Sequence, residues 1–267
     1  MDWLTLDPLD ATQIRDQART HTLGREIEVV RRLVSTNDRV RDAAARGRAL
    51  GFTVLAEEQT AGRGRRGRRW HGVAGHGLAL SCLLGRAGIE PGVFTLAMAL
   101  GVRQGILQTT GVEPHVKWPN DLHVGRKKLC GILVEALPGE LAVVGLGINV
   151  HPMTQLPDAL RASATCLDAV AGRATSRTVL AARVLESVEE VWARARGGGG
   201  AGILDDWRQA TVDLGARVCV ETGGDSWEGI VVDIDETGAL LVQVAPDHVE
   251  RILAGSVRVL ASAGEVG

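Results

Sequence analysis

The hydrophobic pattern of this chain changes period near residues 213–216, and that change limits the folds open to it. Before it, Leu180, Val184, Val188 and Val191 mark one face of a helix ending near Arg196. The run ILDDWRQATVD then predicts one last short helix. After Gly215 the apolar residues alternate through RVCVET, SWEGIVVDID, GALLVQVA, VERILAGSV and RVLAS. Five short alternating runs in roughly 45 residues predict a small SH3-like β-barrel. The expected division is a catalytic-sized unit over 1–214 and a small C-terminal unit over 215–267. The run Gly197–Gly200 predicts a flexible hinge by composition.

The larger unit mixes strands and helices, which places the chain in the α+β class. A short helix is expected over 10–22, followed by a strand at EIEVVRRL and a helix capped by Ser35-Thr36-Asn37 that runs to Arg48. FTVLAEE and LALSCLL read as strands, and VFTLAMALGVRQGILQ as a buried helix with apolar residues at three and four. EPHVKW, KLCGILVEAL and ELAVVGLGINV are three further strand-like runs, the first two joined by a hairpin-like DLHVGRK turning at Gly125.

Hydrophobic residues make up 45% of the chain and charged residues 23%, the balance of a soluble globular protein with a sizeable core. The net charge of −2 gives no global basic field for nucleic acid. Cys82, Cys130, Cys166 and Cys219 lie far apart among apolar or small residues, which suits reduced, buried thiols better than a zinc site or disulfides. The acidic start MDWLTLDPLD has no signal-peptide pattern, and no apolar run approaches the ~20 residues that span a bilayer. A cytoplasmic protein without membrane attachment is expected.

Basic charge is concentrated in one segment, AGRGRRGRRW from Ala61 to Trp70, with five arginines in ten residues. Its formal GxGxxG at Gly62, Gly64 and Gly67 opens no helix, because WHGVAGHG follows, so it is a poor dinucleotide fingerprint. A kinase loop fails as well, since HRD and DFG segments are lacking. Two readings stand. It is a solvated basic loop, or its glycines bring backbone close to a ligand while its arginines fork onto phosphate. So much like charge should keep the loop mobile until an anion arrives.

Three more segments carry candidate chemistry. Lys117-Trp118-Pro119-Asn120-Asp121 ends a strand at proline, leaving Asn120 and Asp121 in a loop. That pair is an ordinary turn, or Asn120 reads an adenine edge while Asp121 holds a metal or orients a lysine. Lys127-Lys128 lead into an apolar strand in which Gly131 permits close ligand approach. Gly145 and Gly147 interrupt a buried strand that ends in Asn149, which is either a β-bulge or a second place of close approach.

In their joint order, STN, QTAGRGRRGRRW, KWPND, KKLCGILVE and GLGIN, these segments resemble the biotin–protein ligase family over roughly residues 28–150. The resemblance implies a mixed-sheet ligase domain shared with lipoate ligases, followed by the small SH3-like unit. It implies that Ser35, Thr36 and Gln59 hydrogen-bond the biotin ureido ring, with Asn37 in the same motif and Gly131 near the bicyclic ring. Gly62, Arg63 and Arg65 are implied over biotin's carboxylate and the phosphates, Lys128 at the carboxylate and α-phosphate, and Asn120 and Asn149 at adenine or ribose. Trp70, Lys117, Asp121, Gly145 and Gly147 fall within the same implied binding set, and Arg63, Arg65 and Lys128 are the expected catalytic residues.

The implied substrates are biotin and ATP, with Mg²⁺ carried mainly by the triphosphate and no metal site made of protein side chains. The implied partner is the biotin carboxyl carrier domain of an acyl-CoA or pyruvate carboxylase, with the enzyme a monomer or weak homodimer. Only 27 residues precede the first matching strand, too few for the helix-turn-helix domain of many bacterial members, so no DNA-binding role is expected. The stretch LRASATCLDAV also lacks the aromatic residue on which some members stack adenine. One rival reading is a lipoate or octanoate ligase. The other is a nucleic-acid-binding module, disfavoured because the chain has no tyrosine and no RNP-like aromatics to stack bases.

Overall fold

Two short helices, α1 (Trp3–Leu6) and α2 (Ala11–Gln17), precede the first strand in the computed structural model, which describes residues 2–222 and 225–261. β1 (Ile27–Leu33), α3 (Thr36–Ala45) and β2 (Thr53–Gln59) form a crossover unit in which β1 and β2 pair in parallel. β3 (Gly77–Gly85), helix α4 (Pro91–Thr110), and strands β4 (His115–Lys117), β5 (Asp121–Val124), β6 (Lys127–Leu137) and β7 (Leu141–Asn149) follow. All these strands lie in one mixed seven-stranded sheet, ordered β1-β2-β3-β7-β6-β5-β4.

Helices α5 (Asp158–Ser163), α6 (Leu167–Ala171), α7 (Arg177–Arg196) and α8 (Gly200–Ala210) lead to the second unit. There β8 (Arg217–Thr222), β9 (Asp225–Ile234), β10 (Leu240–Ala245), β11 (His248–Ile252) and β12 (Ser256–Ala261) form an antiparallel sheet in the order β11-β10-β9-β8-β12. The expected α+β class with a mixed sheet and an all-β C-terminal unit is therefore present. Residues 262–267, the end of the predicted C-terminal unit, lie outside the described residues.

Helices cover both faces of the large sheet. On one face α3 sets Val40 and Ala43 against Phe52, Val54, Leu83 and Val143. On the other, α4 and α7 pack so closely that a Cβ on Gly101 or Gly105 would stand 2.7 Å from Val188 Cα or Val184 Cα. Removing those side chains lets two long apolar helices approach backbone to backbone. β7 lies between these layers and is buried from Ala142 to Asn149, which accounts for its run of apolar residues without alternation. The larger of two buried clusters continues from α4 and α7 through Trp118 and Trp207 to Val218, Val231 and Val257. The C-terminal sheet thus shares apolar packing with the ligase-like unit.

Several expectations are corrected. α2 stops at Gln17 because Glu189 of α7 accepts hydrogen bonds from the amides of His21, Thr22 and Leu23 at 2.6, 2.9 and 2.6 Å, satisfying that backbone outside a helix. DLHV is strand β5 and not only a connection, with the turn at Gly125 beyond it. VERILAGSV is broken between Ile252 and Ser256, giving β11 and the start of β12. The glycine run is a tight helix–helix turn, not an open hinge: Gly197 and Gly199 amides bond to the carbonyls of Ala193 and Arg194, and α8 begins at Gly200. All four cysteines are free and buried, and no helix among the described residues is long and apolar enough to cross a membrane.

Candidate active site

The parallel pairing of β1 and β2 sets Leu33 opposite Gln59, so the STN segment and Gln59 emerge side by side. Ser35 holds the N-cap position of α3 with extended backbone, but its side chain makes no capping hydrogen bond, contrary to the sequence expectation. The helix's first amide is satisfied by Gln59 instead: Thr36 donates to Gln59 Oε1 from its backbone N at 2.8 Å and from Oγ1 at 3.1 Å. Ser81 of β3 completes the cluster, its Oγ 2.7 Å from Thr36 Oγ1 and 2.6 Å from Asn37 Oδ1. Asn37 Nδ2 donates to Glu135 Oε2 at 2.6 Å. Ser35, Thr36 and Asn37 are buried, and with half-buried Gln59 they line a cleft of about 220 Å³ in which their donors and acceptors are pre-arranged.

Glycines of β6 and β7 make room for two side chains above the sheet. A Cβ on Gly145 would stand 2.0 Å from Asn37 Oδ1, and one on Gly147 only 2.4 Å from Trp70 Cε2. The pairing of GLGIN with both neighbouring strands is regular, so it is not a bulge, and the space its glycines leave is taken by Asn37 and Trp70. Gly131 lies under Trp70 and Lys128. The Lys128 ammonium sits 5.6 Å from the Trp70 ring centroid, within cation–π range.

The arginine–glycine loop closes on itself through a Trp70 N–H to Gly62 O bond of 2.9 Å. Its like charge is partly balanced: Arg63 Nη2 lies 2.7 Å from Asp38 Oδ1 and 3.0 Å from Glu135 Oε2. Arg65 differs, since its Nη1 donates to the neutral amide of Asn120 at 3.1 Å. Burial lowers the pKa of Arg65, the neighbouring Arg66 charge adds to that, and Asp121 opposes it. Among the described residues Arg65 has no direct carboxylate partner, and a desolvated guanidinium so placed is ready to donate to an anion.

Asp121 pairs with Lys128 at 2.7 Å. Burial works against the Asp121 carboxylate, yet His123 at 3.9 Å and the Lys128 ammonium outweigh it and leave its pKa below the usual value. Of the alternatives open for Asp121, orienting a lysine is the one this geometry displays.

Comparisons with known proteins bear on the family of this chain. A model described as the Biotin/lipoate A/B protein ligase family matches residues 29–150, and one described as the biotin protein ligase C terminal domain matches residues 213–260. The biotin--[acetyl-CoA-carboxylase] ligase of Mycobacterium tuberculosis is 34% identical over 271 residues, covering 97% of this chain and 95% of that protein. This chain belongs to the biotin protein ligase family. A second relative, the bifunctional ligase/repressor BirA of Bacillus subtilis, is 31% identical over 88% of this chain and 74% of its own length. Among solved structures, the biotin protein ligase from Aquifex aeolicus in complex with biotin and ATP superposes with a TM-score of 0.78 at 26% identity. It covers 88% of this chain and 99% of that one.

Within this ligase fold, Ser35, Thr36, Asn37, Gln59, Arg63, Arg65 and Trp70 line one cleft with Lys117, Asn120, Asp121, Lys128, Gly131, Gly145 and Gly147. Gly62 supports it from behind Trp70. Asn149 is the exception. Its amide donates to Thr165 O at 3.0 Å, and it lines a separate cavity of about 280 Å³ with Met153, Leu156 and Cys166. The sequence reading missed Ser81, Asp38 and Glu135. Ser81 carried a visible signal, a lone hydroxyl inside the apolar run LALSCLL, and Glu135 one at the end of LCGILV.

Proposed function

We infer that this chain activates biotin with ATP, giving biotinyl-5′-AMP and pyrophosphate, and then transfers biotin to a lysine of a biotin carboxyl carrier domain. The observation that carries the reading is one cleft joining a polar cluster, at Ser35, Thr36, Asn37 and Gln59 with Ser81 bonded behind it, to Arg65 and Lys128. The first part suits a urea ring, which needs both donors and acceptors. The second suits a carboxylate attacking an α-phosphate.

In the first step an oxygen of biotin's carboxylate bonds to the α-phosphorus, and the bond to the β-phosphate bridge breaks as pyrophosphate leaves. Charge develops on phosphate oxygens, so fixed cations matter more than an acid–base pair. Arg65 and Lys128 supply them, and Arg63 joins by exchanging its contacts to Asp38 and Glu135 for the ligand. Ser35, left uncapped, turns its hydroxyl to the ureido ring with Thr36 and Gln59, and Asn37 holds Ser81 in place. Asn120 anchors Arg65 beside the nucleotide, and Asn149 faces adenine or ribose from the neighbouring cavity, whose walls at Met153 and Leu156 offer apolar contact in place of a stacking ring.

Mg²⁺ would be held by ATP's own phosphates. Asp121 is the carboxylate that lines the cleft beside Lys128. In the second step the carrier lysine attacks the acyl carbon, AMP departs, and an amide forms.

We place the two functional units at 1–214 and 215–267, with Gly255, Ser256 and Val257 of the second forming part of the cleft wall. A cytoplasmic monomer or weak homodimer fits this role. The deciding experiment measures pyrophosphate release on adding biotin and ATP, alongside calorimetry with biotin and lipoate. Release with biotin and rejection of lipoate are expected, because a chain lacking the ureido ring leaves buried polar groups unpaired. Equal binding of lipoate would favour the lipoate-ligase reading.

A further inference from the structure

Residues 2–10 precede the matched ligase family region, yet a buried charge cluster ties them to β2 within it and to the segments that follow β7. His151, two residues beyond Asn149, is fully buried. Its Nδ1 lies 2.7 Å from Asp168 Oδ2 and its Nε2 3.2 Å from Asp7 Oδ2, so each ring nitrogen meets a carboxylate. Trp3 stacks on the same ring, centroids 3.7 Å apart and planes within 10°. Arg177, also fully buried, donates to Asp7 from its backbone N at 2.7 Å and to Glu57 Oε2 at 2.6 Å.

Asp168 extends the cluster toward the second cavity. Its amide donates to Val150 O at 3.0 Å, and its other carboxylate oxygen accepts from Thr175 N at 2.9 Å. Thr165, three residues earlier, donates its amide to Lys128 O at 2.9 Å and accepts from Asn149. The segment 150–168 is therefore hung between the end of β7, the start of β6 and the N-terminal segment. That segment also abuts the far end of the arginine–glycine loop: a Cβ on Gly75 would stand 2.8 Å from Leu4 N.

We propose that residues 3–10 form a strap that fixes segment 150–168, and with it the nucleotide side of the site, Asp7 and Trp3 acting as positioning residues for ATP through His151 and Asp168. The proposal rests on the reading that Asn149 and its cavity face ATP. Neither Asp7 nor Trp3 lines the cleft that holds the polar cluster at Thr36 and Gln59, and the segment they hold bonds through Thr165 to Asn149 and Lys128, so the larger effect is expected on ATP. An N-terminus serving only to stabilise the fold would change both substrates' parameters together, or neither.

The experiment compares Trp3→Ala, Asp7→Asn, Asp7→Glu and Asn149→Ala in the full chain, reading KM for ATP, kcat, biotin binding by calorimetry, and Tm. Assays run well below the lowest Tm. We expect Asp7→Asn and Trp3→Ala to raise KM for ATP roughly tenfold, the scale of one lost charge-assisted contact, with biotin binding within twofold of the unsubstituted protein. Asp7→Glu should recover part of the loss. Trp3→Ala keeps the test open if Asp7→Asn leaves Arg177 too poorly neutralised to fold. A lowered Tm with unchanged KM for ATP in both strap variants would overturn the proposal. If instead Asn149→Ala leaves KM for ATP unchanged, the nucleotide assignment of that cavity fails, whatever the strap variants do.

Discussion

Lys128 and Asp121 form an ion pair at 2.7 Å between the mouth of β6 and the first residue of β5, with the ammonium over the Trp70 ring. Asp121 thus holds a strand position and not the loop expected from the sequence. The carboxylate fixes a long, flexible ammonium stem where a phosphate oxygen is expected to develop charge. Lys128→Ala should keep measurable biotin binding, because the polar cluster at Thr36 and Gln59 is untouched. Adenylation should fall about 10²–10³-fold, the ~3–4 kcal/mol carried by one transition-state charge stabiliser. Pyrophosphate release at the unsubstituted rate would refute the assignment.

Arg65, hydrogen-bonded only to the Asn120 amide among the described residues, should hold the adenylate as well as help form it. Losing one bidentate contact costs roughly 1.5–3 kcal/mol and speeds escape about ten- to a hundredfold. Arg65→Gly should therefore leak biotinyl-5′-AMP, which acylates bystander lysines. Incubation with biotin, ATP and albumin, probed with streptavidin, reads this directly. Unlabelled albumin while adenylate is still being made would exclude Arg65 as the retaining residue.

Gly147→Ala would drive a methyl group into the Trp70 ring, 2.4 Å from Cε2. β7 is buried on both faces and cannot retreat, so the indole must move off its seat. Overpacking of this kind costs about 1–3 kcal/mol. A lower Tm and weaker biotin binding are expected together, and calorimetry showing unaltered affinity would mean Trp70 can shift without disturbing the cleft.

Truncation after Gly215 removes the cleft wall at Gly255–Val257 and the Gly238 carbonyl that accepts from Trp118 Nε1 at 3.0 Å. The catalytic unit should still fold, since its sheet and helices are complete, but with a lower Tm because apolar packing is shared across the boundary. Ligase activity should drop. Full activity in the truncated protein would show that the second unit has no part in the reaction.

His115 should make the fold sensitive to mild acid. Burial, with the nearby His123 and Lys117 charges, lowers its pKa to about 4 from the usual 6.5. The unfolded chain then binds this proton first as pH falls, so stability is lost between about pH 6.5 and 4 and regained as pH rises. His115→Gln should flatten that part of the curve of Tm against pH. An unaltered curve would mean that another group governs the loss.

The chain's own order of residues determined the periods of its strands and helices, the change to an all-β unit after Gly215, and the segments that build the cleft. These are local properties: alternation, helical spacing, and glycines where backbone must approach closely. Only the tertiary structure decided which side chains meet. Ser81 reaches Thr36, and Glu135 reaches Asn37 and Arg63, because α3 starts over the face of the sheet on which Ser81 of β3 and Glu135 of β6 project, with only β7 between those two strands. Asn149, two residues from Gly147 and on the same face of β7, was placed by its motif in the same cleft, but Trp70 fills the space above Gly147 and Asn149 lines the neighbouring cavity. The contact of Asp7 with His151 spans 144 residues, and no local pattern encodes a partner that distant. It exists because the ends of β2 and β7 and the start of α7 converge on one buried arginine, whose charge needs carboxylates wherever the chain can supply them.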